Sequence, residues 1–371
     1  MERLILIVSN SKPIEYAWYL PSNKRGDATE LGKNVVEIPP DFEYLVHIAK
    51  TAEKNGLTNI LIPCNTSCSD GWLLAAALAR ETKKLKFCVA IRPGLTSPTF
   101  AVQQVNTLDQ ISGGRVTVNV VPGGSSVDSR RYGDFFDHDE RYVRTDEFLT
   151  IVKHFWDSPE ERYFYKGTYY EIEDGFVYPE SFEKGGPPLY FGGSSEAAKK
   201  VIAKFADVML KWGETVSEIK SEYDEVRKMA NTLHKRDLSL GVRFHILIRE
   251  KDEDAKKAAE ELIVGTESYG EKTSMSSSDG DKAESISQQR MDAMSSDGKL
   301  WYGKALFAGI NLVRQGAGTM LAGSPEIVAE EIRKYVDVGA STFILSGWPH
   351  DREAENFGEM LLPLLPKHIE S

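Results

Sequence analysis

Residues 241–250 read GVRFHILIRE. Val242, Phe244 and Ile246 alternate with Arg243, His245 and Arg249, the period of two that sends successive side chains to opposite faces of a β-strand. One face is fully apolar; the other carries a cation and an imidazole. In a closed barrel wrapped by helices, the apolar set packs under the helices while Arg243 and His245 face the lumen. A lumen arginine is costly unless an anion meets it. The alternative is a sheet edge with one wet face, and the rest of the chain decides between the two.

Working outward, seven more β-rich runs occur at 14–20, 59–63, 86–92, 116–121, 189–192, 208–212 and 342–346. Between them lie helical patterns at 42–54, 72–81, 98–112, 142–156, 195–205, 216–233, 253–263 and 326–338. Eight strands, each followed by a helix, in a chain well above the roughly 250 residues of a minimal barrel predict an α/β fold: a (β/α)8 TIM barrel with insertions, one domain over 1–371. A doubly wound sheet would want a glycine-rich phosphate turn after its first strand, and YLPSNKRGDATELG (19–32) supplies none. Two insertions stand out. The stretch 163–178, YFYKGTYYEIEDGFVY, has aromatic alternation broken by Lys166-Gly167 and Asp174-Gly175, the pattern of a β-ribbon. The stretch 265–303 contains SMSSSDGDKAES and few apolar residues; it is expected to be mobile without ligand, as a lid over the active face or as a solvated linker.

Composition narrows the function. The 371 residues are 41% hydrophobic and 10% aromatic, enough for a sizeable core. A formal net charge of −11 argues against nucleic acid or an anionic membrane as partner, so any anionic small molecule must be caught by local positive charge. Cys64, Cys68 and Cys88 are an odd three, the start lacks a secretory signal, and nothing approaches about 18 consecutive apolar residues; together these predict a cytoplasmic protein. The seven histidines are scattered, Cys64 and Cys68 have no second pair, and no GxSxG elbow occurs. With no metal site and no nucleophile elbow expected, a cofactor should carry the hard chemistry.

A barrel of this kind builds its site at the C-terminal ends of its strands. Those ends hold Cys68 and Asp70, Arg92, Asn119, the FGGSS turn, Trp212, Arg243 and His245, and Trp348 with His350. In PPLYFGGSS (187–195), Gly192 and Gly193 let backbone approach a ligand, and Ser194 and Ser195 add hydroxyls to a helix N-terminus, which suits a phosphate. The same serines also suit an ordinary N-cap.

A broader set of segments carries a resemblance. LIPCNTSCSDGW (61–72), LKFCVAIRPGLTSPTFAVQQVNTLDQISGGRVTVNVVPG (85–123), DHDERY (137–142), PPLYFGGSS, GVRFHILIRE, SQQRM (287–291), LVRQGAGTMLAGSPE (312–326) and FILSGWPH (343–350) together resemble the alkanesulfonate monooxygenases that use reduced FMN, within the bacterial-luciferase-like superfamily. The resemblance runs from about residue 15 to residue 366. It implies a β/α barrel that takes reduced FMN from a separate NAD(P)H-dependent flavin reductase, uses O2, and splits a carbon–sulfur bond to aldehyde and sulfite. It also implies a homodimer or homotetramer. Asn119, Arg141, Tyr142 and Ser195 match flavin-holding positions of that family, with His138 nearby and Gly193 and Ser194 on the same turn. Cys68, Arg243, His245, Arg314 and the position of Trp348 match its active-site set, and Arg314 lies where a mobile loop closes. A sulfonate would be the anion that a lumen Arg243 lacks.

One departure bears on chemistry. Where the family has Tyr this chain has Trp348, whose indole N–H donates but is no acid, so a proton role there would pass to His245, His350 or water. Other readings of the resemblance are a flavin monooxygenase of a sulfone, thioether or other small molecule, a deazaflavin-dependent oxidoreductase, and a non-catalytic flavin carrier.

Overall fold

Eight parallel strands close on themselves in the computed structural model, which describes residues 13–24, 26–28, 37–264, 285–314 and 316–367. They are β1 (Glu15–Tyr19), β2 (Asn59–Ile62), β3 (Lys86–Ile91), β4 (Val116–Val120), β5 (Leu189–Gly192), β6 (Val208–Trp212), β7 (Ser239–Ile248) and β8 (Ala340–Ser346). Each pairs with the next, and β8 returns to β1 through Glu15 opposite Thr342. The expected barrel is therefore present, and the wet-edged sheet is excluded.

The period-two pattern sorts the side chains as anticipated. Val242, Phe244 and Ile246 are fully buried beneath the helices, with Phe244 edge-on to Tyr335 at 5.0 Å. On the inner face, Ala17, Leu61, Cys88, Tyr190, Val208 and Ile344 form a cluster of their own. At the N-terminal end of the lumen, Tyr190 Oη donates to Glu15 at 2.7 Å and Asn59 Nδ2 donates to Thr117 Oγ1 at 3.2 Å. The lower lumen is thus filled with packed and hydrogen-bonded side chains, as such barrels require. Polar space is left at the other end, where Arg243 and His245 sit.

The ten-residue β7 changes partner halfway. Ser239 to Arg243 pair with β6, whereas His245 to Ile248 pair with a short parallel strand, Met320–Gly323. That strand was not among those read from the sequence, because MLAG is a brief apolar run flanked by glycine and shows no alternation. Its pairing brings the preceding loop against β7, with the His245 amide donating to Thr319 O at 2.9 Å.

Tyr163–Lys166 and Glu171–Gly175 pair antiparallel and lie on the helix His138–Asp157, where Tyr163 stacks on His154 at 3.6 Å and Glu147 accepts the amides of Thr168, Tyr169 and Tyr170. Of the second insertion, residues 265–284 lie outside the described residues. Its remainder carries secondary structure that the composition did not indicate. Ile286–Ser295 is a helix with Met291 and Met294 buried, and Trp301–Tyr302 pairs with Leu306–Phe307. These few apolar side chains, diluted among serines in the sequence, are enough to anchor it. Among the described residues no helix is long and apolar enough to cross a membrane.

Candidate active site at the barrel mouth

Arg243 projects from the middle of β7 and is 6% exposed. Its guanidinium donates to Ser346 Oγ at 2.7 Å, to Ile344 O at 3.4 Å and to Phe244 O, and lies over the Tyr19 ring at 5.1 Å. All of these acceptors are neutral, and among the described residues no carboxylate pairs with it. Burial first, then the nearby Arg314, pushes its pKa down from the ordinary arginine range to about 9. A cation so placed is destabilised until an anion joins it.

His245 is completely buried two residues on. Its Nε2 lies 2.8 Å from Ala317 O and its Nδ1 lies 2.7 Å from Ser346 Oγ. A carbonyl only accepts, so Nε2 carries the proton and Nδ1 accepts from the Ser346 hydroxyl, which in turn accepts from Arg243. Burial, followed by Arg243 and Arg314, holds the imidazole well below its ordinary range. The ring is neutral, with both nitrogens engaged by protein.

Trp348 covers this pair. Its ring centroid is 4.3 Å from that of His245, and the Arg314 guanidinium lies over the Trp348 ring at 5.7 Å. His350 opens the helix His350–Asn356, is 3% exposed, and hydrogen-bonds the Tyr19 backbone while Nδ1 has no partner. Burial, with Arg243 and Arg314 adding to it, lowers its pKa to about 3. Cys68 lies in the loop after β2, bridged to Asn23, and burial pushes its thiol up to about 11. A thiol held protonated is a poor nucleophile.

Across the mouth, the second group gathers around the end of β5. Ser195 caps the helix Glu196–Phe205 by accepting from the Ala198 amide at 3.1 Å, and it also bonds the Tyr142 hydroxyl. Tyr142 stacks on Phe191 at 6.2 Å and its ring is 5.1 Å from His138. Arg141 is buried, donating to Phe136 O at 2.7 Å and Gly123 O at 3.3 Å. A Cβ on Gly193 would stand 2.6 Å from Ala198 Cβ, so the turn needs glycine there. Asn119 is half-buried on the lumen face of β4, the face that Thr117 shares. Ser194 Oγ accepts from Lys211 Nζ at 2.6 Å and lies 3.1 Å from Ser287 Oγ.

Some residues at the strand ends turn out to be structural, and others went unnoticed. Asp70 caps the helix Gly71–Glu81, and Arg92 is satisfied by Asp128 and by Ser129 Oγ at 3.1 Å. Tyr19, Ser346 and Lys211 were missed. Tyr19 and Ser346 end strands without any charge to mark them. Lys211 is buried with Glu222 at 2.9 Å and with Glu214, three residues along the chain, at 3.2 Å, and only the fold shows that the group is buried. Among the described residues no cluster of potential metal ligands occurs.

Comparison with known proteins adds a family and a fold. A family model described as luciferase-like monooxygenase matches residues 14–342. Riboflavin lyase, solved with modified FMN and riboflavin, superposes with a TM-score of 0.77 at 20% identity, covering 97% of this chain and 94% of that one. EDTA monooxygenase from Chelativorans sp. BNC1 gives 0.75 at 18% identity, covering 97% and 96%. An F420-dependent secondary alcohol dehydrogenase, in complex with an F420–acetone adduct, gives 0.67 at 18%, covering 96% and 100%.

Proposed function

We propose, for a chain that belongs to the luciferase-like monooxygenase family, that it is a two-component enzyme using reduced FMN and O2 to convert alkanesulfonates to aldehyde and sulfite. The observation that carries this reading is Arg243: a buried guanidinium at the barrel mouth, close enough to Arg314 to be pushed down in pKa, and bonded only to neutral acceptors. A sulfonate offers charge and several oxygens to both arginines.

The residues present suit FMN. Once Ser195 has capped the Ala198 amide, the Glu196 and Ala197 amides of that helix have no acceptor among the described residues. Such amides, beside the hydroxyls of Ser194 and Ser195, are what a phosphate monoester needs. Arg141, Tyr142 and Asn119 would line the rest of the flavin site, with His138 at its edge. Bound reduced FMN would supply the electrons that activate O2, having taken them from a separate NAD(P)H-dependent reductase.

The chain's own groups have definable tasks. Arg243 and Arg314 bind and orient the sulfonate. The Ser346 hydroxyl, held between Arg243 and His245 Nδ1, keeps both side chains oriented at the reacting end. Trp348 shields that dyad from water, and Cys68 stays a thiol that shapes the pocket.

Oxygen uptake tests the reading. With a reductase supplying reduced FMN, octanesulfonate should be consumed with oxygen far faster than octyl methyl sulfone. Equal rates would turn the reading toward a neutral sulfur compound. Turnover with a deazaflavin and no oxygen uptake would turn it toward a deazaflavin-dependent oxidoreductase.

A further inference from the structure

Arg243 is fixed by its strand, whereas Arg314 rides on a loop. Among the hydrogen bonds that hold that loop, three lie close to Arg314: the Arg314 amide donates to Ile310 O at 3.1 Å, Ala317 O meets His245 Nε2 at 2.8 Å, and the Gly316 amide donates to Gln288 Oε1 at 2.9 Å. The first is local and the second belongs to the barrel. The third comes from the helix Ile286–Ser295, which lies in the insertion. Like charges repel, so two guanidiniums brought together before an anion arrives will separate unless the loop bearing one of them is held.

Gln288 is built for holding. It is 7% exposed, and its Nε2 donates to Asp292 Oδ1 at 2.8 Å, which orients the amide so that its oxygen faces Gly316. Gly316 has φ +94°, a backbone conformation that turns its N–H toward the helix at little cost only for glycine. The helix itself is anchored. Arg290 pairs with Glu222 and, at 3.4 Å, with Glu214; these two carboxylates also hold Lys211; and Met291 and Met294 are buried. One residue before Gln288, Ser287 Oγ stands 3.1 Å from Ser194 Oγ on the turn after β5. At the root of the loop, both polar atoms of the Asn311 side chain are buried without a hydrogen-bond partner among the described residues.

We propose that Gln288 is a positioning residue for Arg314, fixing the loop so that both guanidiniums converge on one anion, and that the helix Ile286–Ser295 thereby ties the anion subsite to the turn at Ser194. This rests on the reading that Arg243 and Arg314 bind an anionic substrate.

The test is calorimetric titration of octanesulfonate and, separately, of oxidised FMN into the full chain. Gln288→Leu should weaken octanesulfonate binding about tenfold, equivalent to roughly 1.4 kcal/mol, and leave FMN affinity within about twofold. In steady state KM should rise with kcat little changed. Gln288→Glu combined with Asp292→Asn, which restores an oxygen acceptor for Gly316 and keeps a donor–acceptor pair between residues 288 and 292, should recover most of the loss, a rescue that general damage would not show. Gln288→Met, also lacking the acceptor oxygen, serves if Leu does not fold. Octanesulfonate affinity equal to that of the unmodified protein in both the Leu and Met variants overturns the proposal alone. Failure of the unmodified protein to bind octanesulfonate overturns the anion reading and the proposal with it.

Discussion

Replacing Arg243 by Met separates a functional cation from a structural one. Burial and Arg314 bring its pKa down to about 9 from an ordinary value near 12.5. At about 1.4 kcal/mol per pK unit, keeping the charge there costs the protein on the order of 5 kcal/mol. What it recovers is hydrogen bonds to Ser346 and to backbone carbonyls and a position over the Tyr19 ring, each a contribution of roughly 1 kcal/mol. Met keeps the apolar stem without the charge. Arg243→Met should therefore unfold at the same temperature as the parent or a few degrees higher. Its turnover should collapse, because losing one partner of a buried charged pair costs about 2 to 5 kcal/mol, a fall in kcat/KM of roughly thirtyfold to several thousandfold. FMN affinity should stay within about twofold, since Arg243 makes no contact with the turn at Ser194. Sulfite release with reductase-supplied FMN and a thermal melt give both numbers. A variant that melts well below the parent yet keeps its kcat/KM would show that Arg243 serves the fold, and would refute the reasoning.

His350 has a pKa of about 3 in the folded chain and near 6.5 when unfolded, so the unfolded state binds more protons between those limits and stability falls as pH drops through them. His350→Gln should lose about 2 kcal/mol less stability than the parent between pH 7 and pH 5; equal losses in urea titrations at the two pH values would contradict this. Gly193→Ala would press a methyl to 2.6 Å from Ala198 Cβ and 3.2 Å from Tyr142 Oη, an overpacking of about 1 to 3 kcal/mol. It should weaken FMN binding about tenfold or more by fluorescence titration, and unchanged affinity would remove this turn from the flavin site. Trp348→Phe keeps a ring against His245 and should hold kcat/KM within about threefold, since neither residue is an acid. Trp348→Ala should instead release more hydrogen peroxide per oxygen consumed, and an equal yield would show that Trp348 does not exclude water.

The barrel was legible because its strands are short and their two faces differ. GVRFHILIRE alone separates outer Val242, Phe244 and Ile246 from inner Arg243 and His245, and the same alternation repeats around the sheet. Met320–Gly323 escaped because four apolar residues beside glycine have no period to read. The helix Ile286–Ser295 escaped because its buried Met291 and Met294 are isolated among polar neighbours. Within the site, charged and imidazole side chains were visible as oddities on a strand. Ser346, which joins Arg243 to His245, looks like any serine until β7 and β8 are paired with His245 opposite Ser346. Lys211, Glu214, Glu222 and Arg290 neutralise one another across three segments, the end of β6 and two helices. No local pattern encodes that.

Sulfite is the product that distinguishes desulfonation from every other reaction this barrel could host. With reduced FMN supplied by a reductase in air, a panel of alkanesulfonates of different chain length should include at least one that yields sulfite and aldehyde in equal amounts, with one O2 consumed for each. Arg243→Met should abolish that yield at the same substrate concentration. Oxidation of neutral sulfur compounds with no sulfite from any sulfonate would contradict the account.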